Sequence, residues 1–170
     1  GGLRSAVVFG AIIDDEDVHS RVQPAQFLHE RGARSITLSE SSGPGNTQTV
    51  MEDKGIFDLA RDARFDIVNL EQIGDSDWVH LGTSGTHWPD GFYLPRLVRD
   101  SEYTVSTCCL KTHGYGGVFT LSLKLSVGLT PKPIRRPMHQ SPDMRRMIAE
   151  LNTGYTPQII VLDGVDAFTD

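Results

Sequence analysis

The sequence predicts an α/β fold: a mostly parallel β-sheet flanked by helices on both faces, forming a single domain over residues 1–170. Three observations lead there. Apolar, β-rich runs recur at 6–13, 34–39, 65–70, 103–110 and 159–162. Segments with helical spacing separate them, and strands joined through helices return to the sheet in the same direction. A chain of 170 residues with 38% hydrophobic content can bury one sizeable core.

The first run, AVVFGAII at 6–13, is apolar without alternation, as expected of a central strand covered on both faces. PAQFLHER at 24–31 opens on a proline suited to a first helical turn and stops at Gly32, so it reads as a helix, with RSITLS at 34–39 as the next strand. Residues 46–64 put Val50, Ile56, Leu59 and Ala60 near helical spacing, although Gly55 weakens the middle, and FDIVNL at 65–70 is again a strand. Residues 72–95 are less regular, with a strand expected at 78–81, turns at 83–91, and 92–94 free to pair at a sheet edge. A strand at 103–110 leads into a loop at 113–117, and 118–127 reads as a helix of nearly three turns. The prolines of KPIRR at 132–136 predict a loop whose basic groups could reach a phosphate or a carboxylate. A helix at 143–151 ends before Gly154, and IIVL at 159–162 is a last strand closed by Asp163-Gly164.

The formal charge of −6 argues against a nucleic-acid partner, whose phosphates demand an excess of Lys and Arg. No apolar run approaches the length that spans a membrane, and the N-terminus runs into DDED rather than reading as a signal, so a cytoplasmic location is the default expectation. The two cysteines, Cys108 and Cys109, are adjacent and match no C-x-x-C spacing; no iron–sulfur cluster is expected from this chain alone, and both read as core rather than nucleophile. Oligomeric state is not legible.

Chemistry concentrates between Cys108 and His139. The chain has four lysines, and three of them lie here: Lys132 in the KPIRR segment, and Lys111 and Lys124 with Thr112, His113, Gly114, Gly116, Gly117, Thr120 and His139. Lys111 and His113 are two apart, which on an extended strand puts them on one side. The glycines let backbone approach a ligand, and the expected helix after them would aim unpaired N–H groups at the same place, an anion-binding arrangement. On that helix Thr120 and Lys124 would share a face. Lys124 lies among Leu121, Leu123, Leu125 and Val127, where a charge needs a partner. These residues are the candidate ligand-binding set, and the expected partner is a small anion. The spacing fits neither G-x-x-x-x-G-K-[ST] nor G-x-G-x-x-G.

His113, His139 and Asp163 make a weaker metal set, since no local histidine spacing supports it. His80, His87 and Asp90 near Trp88 read as structural loop residues, His19 and His29 as surface residues, and Asp14, Asp15, Glu16 and Asp17 as a solvated run. ESSGPG at 40–45 follows a strand and precedes a helix, the edge where parallel sheets bind ligands, so Ser41, Ser42 and the backbone of Gly43 and Gly45 could contact one; a plain loop is the alternative.

LKTHGYGGVFTLSLKLSVGLTP, a histidine downstream and the terminal VLDGVDAF resemble the DUF362 family of uncharacterised proteins, with its K-T-H, second lysine, G-L-x-P and later histidine. ERGARSITLSES, TQTVMEDKGIFDLAR, DIVNLE and LPRLVRDSEYTVSTCCLKTH resemble the preceding family segments in order. Leu125 stands where the family carries asparagine, and the ferredoxin-like cysteines of many members are missing. Members also continue beyond D-G-x-x-A, which implies a DUF362-like domain shortened at its C-terminal end. A looser resemblance is to the lactate racemase family, where a glycine pair, a lysine and a histidine follow in the order of Gly116-Gly117, Lys124 and His139, at closer spacing; it implies an enzyme with an unusual cofactor. The expected function is an anion or small-ligand pocket built by the K-T-H loop and the following helix. A non-enzymatic binding or scaffold module, or a metal- or cofactor-dependent redox or isomerase enzyme, remain the alternatives.

Overall fold

The computed structural model describes residues 5–10, 22–43, 45–82, 84–113 and 117–168. Five strands run parallel: β1 (Ser5–Gly10), β2 (Ser35–Glu40), β3 (Asp66–Asn69), β6 (Tyr103–His113) and β8 (Ile159–Phe168). Their order is β3-β2-β1-β6-β8, and β7 (Gly117–Thr120) adds an antiparallel piece to the end of β6. Because Lys111 pairs with Phe168 on one edge and Thr120 on the other, β7 lies on the same edge of β6 as β1, further along it than the Gly10–Thr107 pair; residues 11–13 of the first expected strand lie outside the described residues. The fold is α/β, as the alternating pattern predicts.

Alternation along β1 sorts two cores. Ala6 and Val8 pack with Leu28, Ile36, Met51, Ile56 and Val105 under α1 (Val22–Glu30), α2 (Thr47–Asp53) and α3 (Ile56–Ala63). Val7 and Phe9 face the other way, into Leu94, Leu129, Met138, Leu151 and Tyr155, beneath α4 (Arg96–Asp100), α5 (Ser122–Leu125), α6 (Lys132–Gln140) and α7 (Met144–Leu151). Strands buried on both sides need continuous apolar runs, which is what β1 carries.

Several local expectations are corrected. The helix expected over 46–64 is two helices: Gly55 adopts φ 65°, which breaks the run, while Asn46 caps α2 by accepting from the Thr49 N–H at 3.0 Å. The strands β4 (Trp78–Leu81) and β5 (Phe92–Pro95) pair with each other as a separate antiparallel ribbon instead of extending the main sheet. No helix covers 118–127. Val118, Phe119 and Thr120 have strand propensity and lie beside the end of β6, with which β7 pairs antiparallel; Leu121 is extended, and helix begins only at Ser122, passing into a 3-10 turn at Ser126–Leu129. KPIRR is likewise helix, not loop. Pro131 and Pro133 occupy the start of α6, where a missing N–H costs nothing, and Met138 seats the helix in the core. The last strand does not stop at Asp163-Gly164 but slips register there and runs on to Phe168. His29, expected at the surface without a task, sits within hydrogen-bond reach of the carbonyls of Ala63 and Arg64 at 3.1 and 3.0 Å, where it closes the end of α3.

Candidate functional site

The carboxyl ends of β2 and β3 are roofed by the segment from α5 to α6, and a buried arginine holds it there. Arg135, 8% exposed, donates to the carbonyls of Thr130 (3.0 and 2.6 Å), Gly128 (3.1 Å), Ser41 (3.3 Å) and Ser42 (3.2 Å) and to Ser41 Oγ (2.6 Å). Burial lowers its pKa to about 10, against the opposing pull of the Glu40 and Glu71 carboxylates, so it stays a cation at neutral pH. Glu40 is itself 4% exposed and accepts from the Ser41 N–H at 2.8 Å.

A second tie lies alongside. Lys132 Nζ is 2.5 Å from Glu71 Oε1 and donates to the Gly45 carbonyl at 2.5 Å, while Thr47 donates to Glu71 through both its hydroxyl and its N–H. Burial raises the Glu71 pKa, but the hydrogen bonds from Lys132 and Thr47 and the charge of Lys132 outweigh it, leaving the carboxyl below its ordinary value. The basic segment 132–136 thus reaches a carboxylate belonging to the protein itself.

One turn beyond Arg135, His139 meets Lys124. Lys124 Nζ lies 2.6 Å from His139 Nε2, and His139 Nδ1 lies 2.7 Å from the Arg135 carbonyl. A carbonyl only accepts, so Nδ1 carries the proton, and in the neutral ring the Nε2 lone pair accepts from the lysine ammonium. Burial lowers Lys124 to about 8. Burial and then the Lys124 charge lower His139; the bond to the Arg135 carbonyl opposes them, and the Arg135 charge adds to them. Among the described residues no carboxylate lies within ion-pair distance of Lys124.

Of the residues singled out by sequence, the structure therefore joins Lys124 and His139. Thr120 is buried with its hydroxyl 3.5 Å from the Lys111 carbonyl, and Lys111 and Thr112 are half-buried near the end of β6, without a hydrogen bond to Lys124 or His139. His113 ends β6 and Gly117 begins β7, with a register shift between Lys111 and His113; Gly114 and Gly116 lie outside the described residues, as do His19 and Asp14, Asp15, Glu16 and Asp17. The helix expected to point at the glycine loop is replaced by β7, so Thr120 and Lys124 do not share a helical face. Among the described residues no three His, Cys, Asp or Glu side chains converge as a metal set. Asp163 pairs opposite Cys109 with the parity of Val161, which packs toward α1 to α3, while α6 carries His139 over the other face.

The remaining candidates are structural. His80 Nε2 contacts the Asp90 carbonyl at 2.8 Å and stacks on Tyr93; His87 contacts Glu150 at 2.6 Å; Trp88 Nε1 donates to the Met147 carbonyl at 3.0 Å. Burial, then neighbouring Cys109, pushes the Cys108 thiol up to about 11, the condition of a core cysteine. A cavity of about 500 Å³, lined by Ser5, Val7, Thr37, Asp77 and Arg96 among others, lies where β1 and β2 begin, and holds none of the sequence-predicted site residues. Sequence reading missed Arg135, Thr47 and Glu71 as site builders. The signal available was the Arg135 to His139 spacing of four, hidden because the segment read as loop.

The family model described as a domain of unknown function, DUF362, matches residues 21–170. No curated protein matches the chain. Among solved structures it is similar to the lactate racemase apoprotein from Thermoanaerobacterium thermosaccharolyticum, at 15% identity and a TM-score of 0.71, over 98% of this chain and 43% of that one. That likeness is one of fold, and the chain spans less than half the length of that protein.

Proposed function

Since the chain belongs to the DUF362 family, whose function is unknown, its activity has to be argued from its own residues, and we propose that it binds a small anionic ligand, a carboxylate or phosphate, beside Lys124 and His139. The observation that carries this reading is a half-buried lysine whose described hydrogen-bond partner is a histidine nitrogen rather than a carboxylate. A buried cation without a countercharge is costly, and a ligand anion supplies one. Its place supports the same reading, because ligands of open α/β sheets bind at the carboxyl ends of the strands. A second reading, an isomerase acting on a hydroxy acid, is favoured by the fold likeness to a lactate racemase apoprotein.

The test is thermal unfolding in lactate or phosphate against chloride at matched ionic strength. Ligand at about ten times its Kd adds about 1.4 kcal/mol. Phosphate also stabilises by exclusion from the surface, so the comparison that decides is between the wild type and Lys124→Met. Loss of the ligand-specific increment in the variant is expected; its full retention would remove the lysine from the site.

A further inference from the structure

We infer that Lys124 is a nucleophilic amine that condenses with the carbonyl of a small 2-oxo acid to form an imine, His139 carrying the proton. The inference rests on the anion-binding reading and names the class of its ligand. The geometry assigns each atom a task. The Nδ1–H of His139 is committed to the Arg135 carbonyl, so the basic lone pair on Nε2 points at Lys124 Nζ from 2.6 Å. Nε2 takes one ammonium proton and leaves a neutral amine in place. The amine lone pair then forms a C–N bond to the carbonyl carbon while the C=O π pair moves to oxygen, which receives the proton back from the imidazolium. Nε2 then takes a proton from the carbinolamine nitrogen and delivers it to that hydroxyl, which leaves as water as the nitrogen lone pair forms C=N. Amine plus ketone gives imine plus water, with no oxidant or reductant. The protonated imine keeps the positive charge of Lys124, so the carboxylate of the ligand retains its partner.

A lysine held for charge alone is stabilised as an ammonium by a carboxylate or by full exposure, and Lys124 has neither among the described residues. With burial bringing it to about 8, about a tenth of it is neutral at pH 7, against well under about a thousandth for an ordinary lysine. The other titratable groups on elements packed against α5 are Tyr103, Cys108, Cys109, Lys111 and His113 on β6 and Arg145, Arg146 and Glu150 on α7; Arg146 and Glu150 engage His87, and among the described side chains none of these hydrogen-bonds Lys124. On α6, Lys132 is tied to Glu71 and Arg135 to the loop after β2.

The chain's four lysines, Lys54, Lys111, Lys124 and Lys132, make the experiment clean. The full chain is incubated with pyruvate and sodium cyanoborohydride at pH 7, and the reduced N-(1-carboxyethyl) adducts are mapped by mass spectrometry. Lys124 is expected to label at least about tenfold faster than the other three, more slowly with lactate as competitor, and His139→Gln to slow it by at least about tenfold. Even labelling of the four lysines overturns the inference, and an unchanged rate in His139→Gln overturns the role of the histidine. Stabilisation by lactate, measured separately, keeps the two ideas apart: if lactate stabilises the protein while the lysines label evenly, the anion site stands and the nucleophile falls. If lactate does not stabilise it, the anion site falls, and selective labelling of Lys124 still decides for the amine.

Discussion

Replacing Arg135 with Met should be among the most destabilising single substitutions in this chain. The change removes the donors to the carbonyls of Thr130, Gly128, Ser41 and Ser42 and to the Ser41 hydroxyl, and Ser41, Ser42 and Thr130 are 5%, 1% and 1% exposed. Each buried acceptor left unmet costs about 1–3 kcal/mol. Two effects hold the total below the simple sum: carbonyls tolerate losing one partner better than N–H groups do, and the desolvation cost of the buried cation disappears. A third adds to it, because Glu40 and Glu71 lose a favourable charge. The net expectation is about 3–5 kcal/mol, the usual cost of breaking one side of a buried polar network. For a chain of this size that lowers Tm by about 6–20 °C. Urea denaturation is the assay, read as a fall in the midpoint at constant m. Arg135→Lys should recover only a minor part, since one ammonium cannot span acceptors on both the loop after β2 and the turn before α6. A loss below about 1 kcal/mol for Arg135→Met would refute the claim that this side chain fastens α6 over the strand ends.

Lys124 is lowered from 10.5 to about 8, so between those values the unfolded chain holds the extra proton and stability should rise with pH. Cys108 and Tyr155, both raised by burial, act in the opposite sense in alkali, so the reading is the difference between wild type and Lys124→Met, which should shift in favour of wild type from pH 8 to 10.5. His139 is lowered from 6.5, so as pH falls through 6.5 the unfolded chain takes up the proton first; stability should drop there, and NMR titration of the ring should give a midpoint below 6.5. At pH 8 Cys109 should react with a thiol reagent well before Cys108, whose thiol burial pushes up to about 11; equal rates would contradict that burial. Gly91→Ala should cost several kcal/mol, since φ is 72° and the new Cβ would lie 2.3 Å from the Leu81 carbonyl oxygen; near-wild-type urea midpoints would count against the β4–β5 ribbon as drawn.

The parallel sheet was legible because its strands are buried on both faces, and a continuous run such as AVVFG has few other uses. Where the reading failed, a tertiary partner decided between two local options. VFTLSLKLSV has apolar residues enough for a helix and β-branched residues enough for a strand; antiparallel pairing with the end of β6 selects the strand for its first part. KPIRRP looks like a loop to any rule that counts prolines, yet Pro133, like Pro131 just before the segment, falls at the helix start, where it favours the conformation, and only Pro137 lies inside the helix.

The same limit explains the site. Lys124 was identifiable as a charge in need of a partner, because an apolar neighbourhood is visible in sequence, but its partner was not, because His139 is fifteen positions further on and on another element. His139 takes its orientation from the carbonyl of Arg135, and Arg135 takes its own from the loop after β2. A surface arginine and a buried one have the same sequence signature; what separates them is whether the fold brings enough acceptors to replace water. Here the acceptors come from Ser41, Ser42, Gly128 and Thr130, on two stretches far apart in the chain. The chemistry of Lys124 therefore depends on a chain of contacts that begins at the end of β2, and a substitution at Ser41 should alter the titration of His139 without touching it.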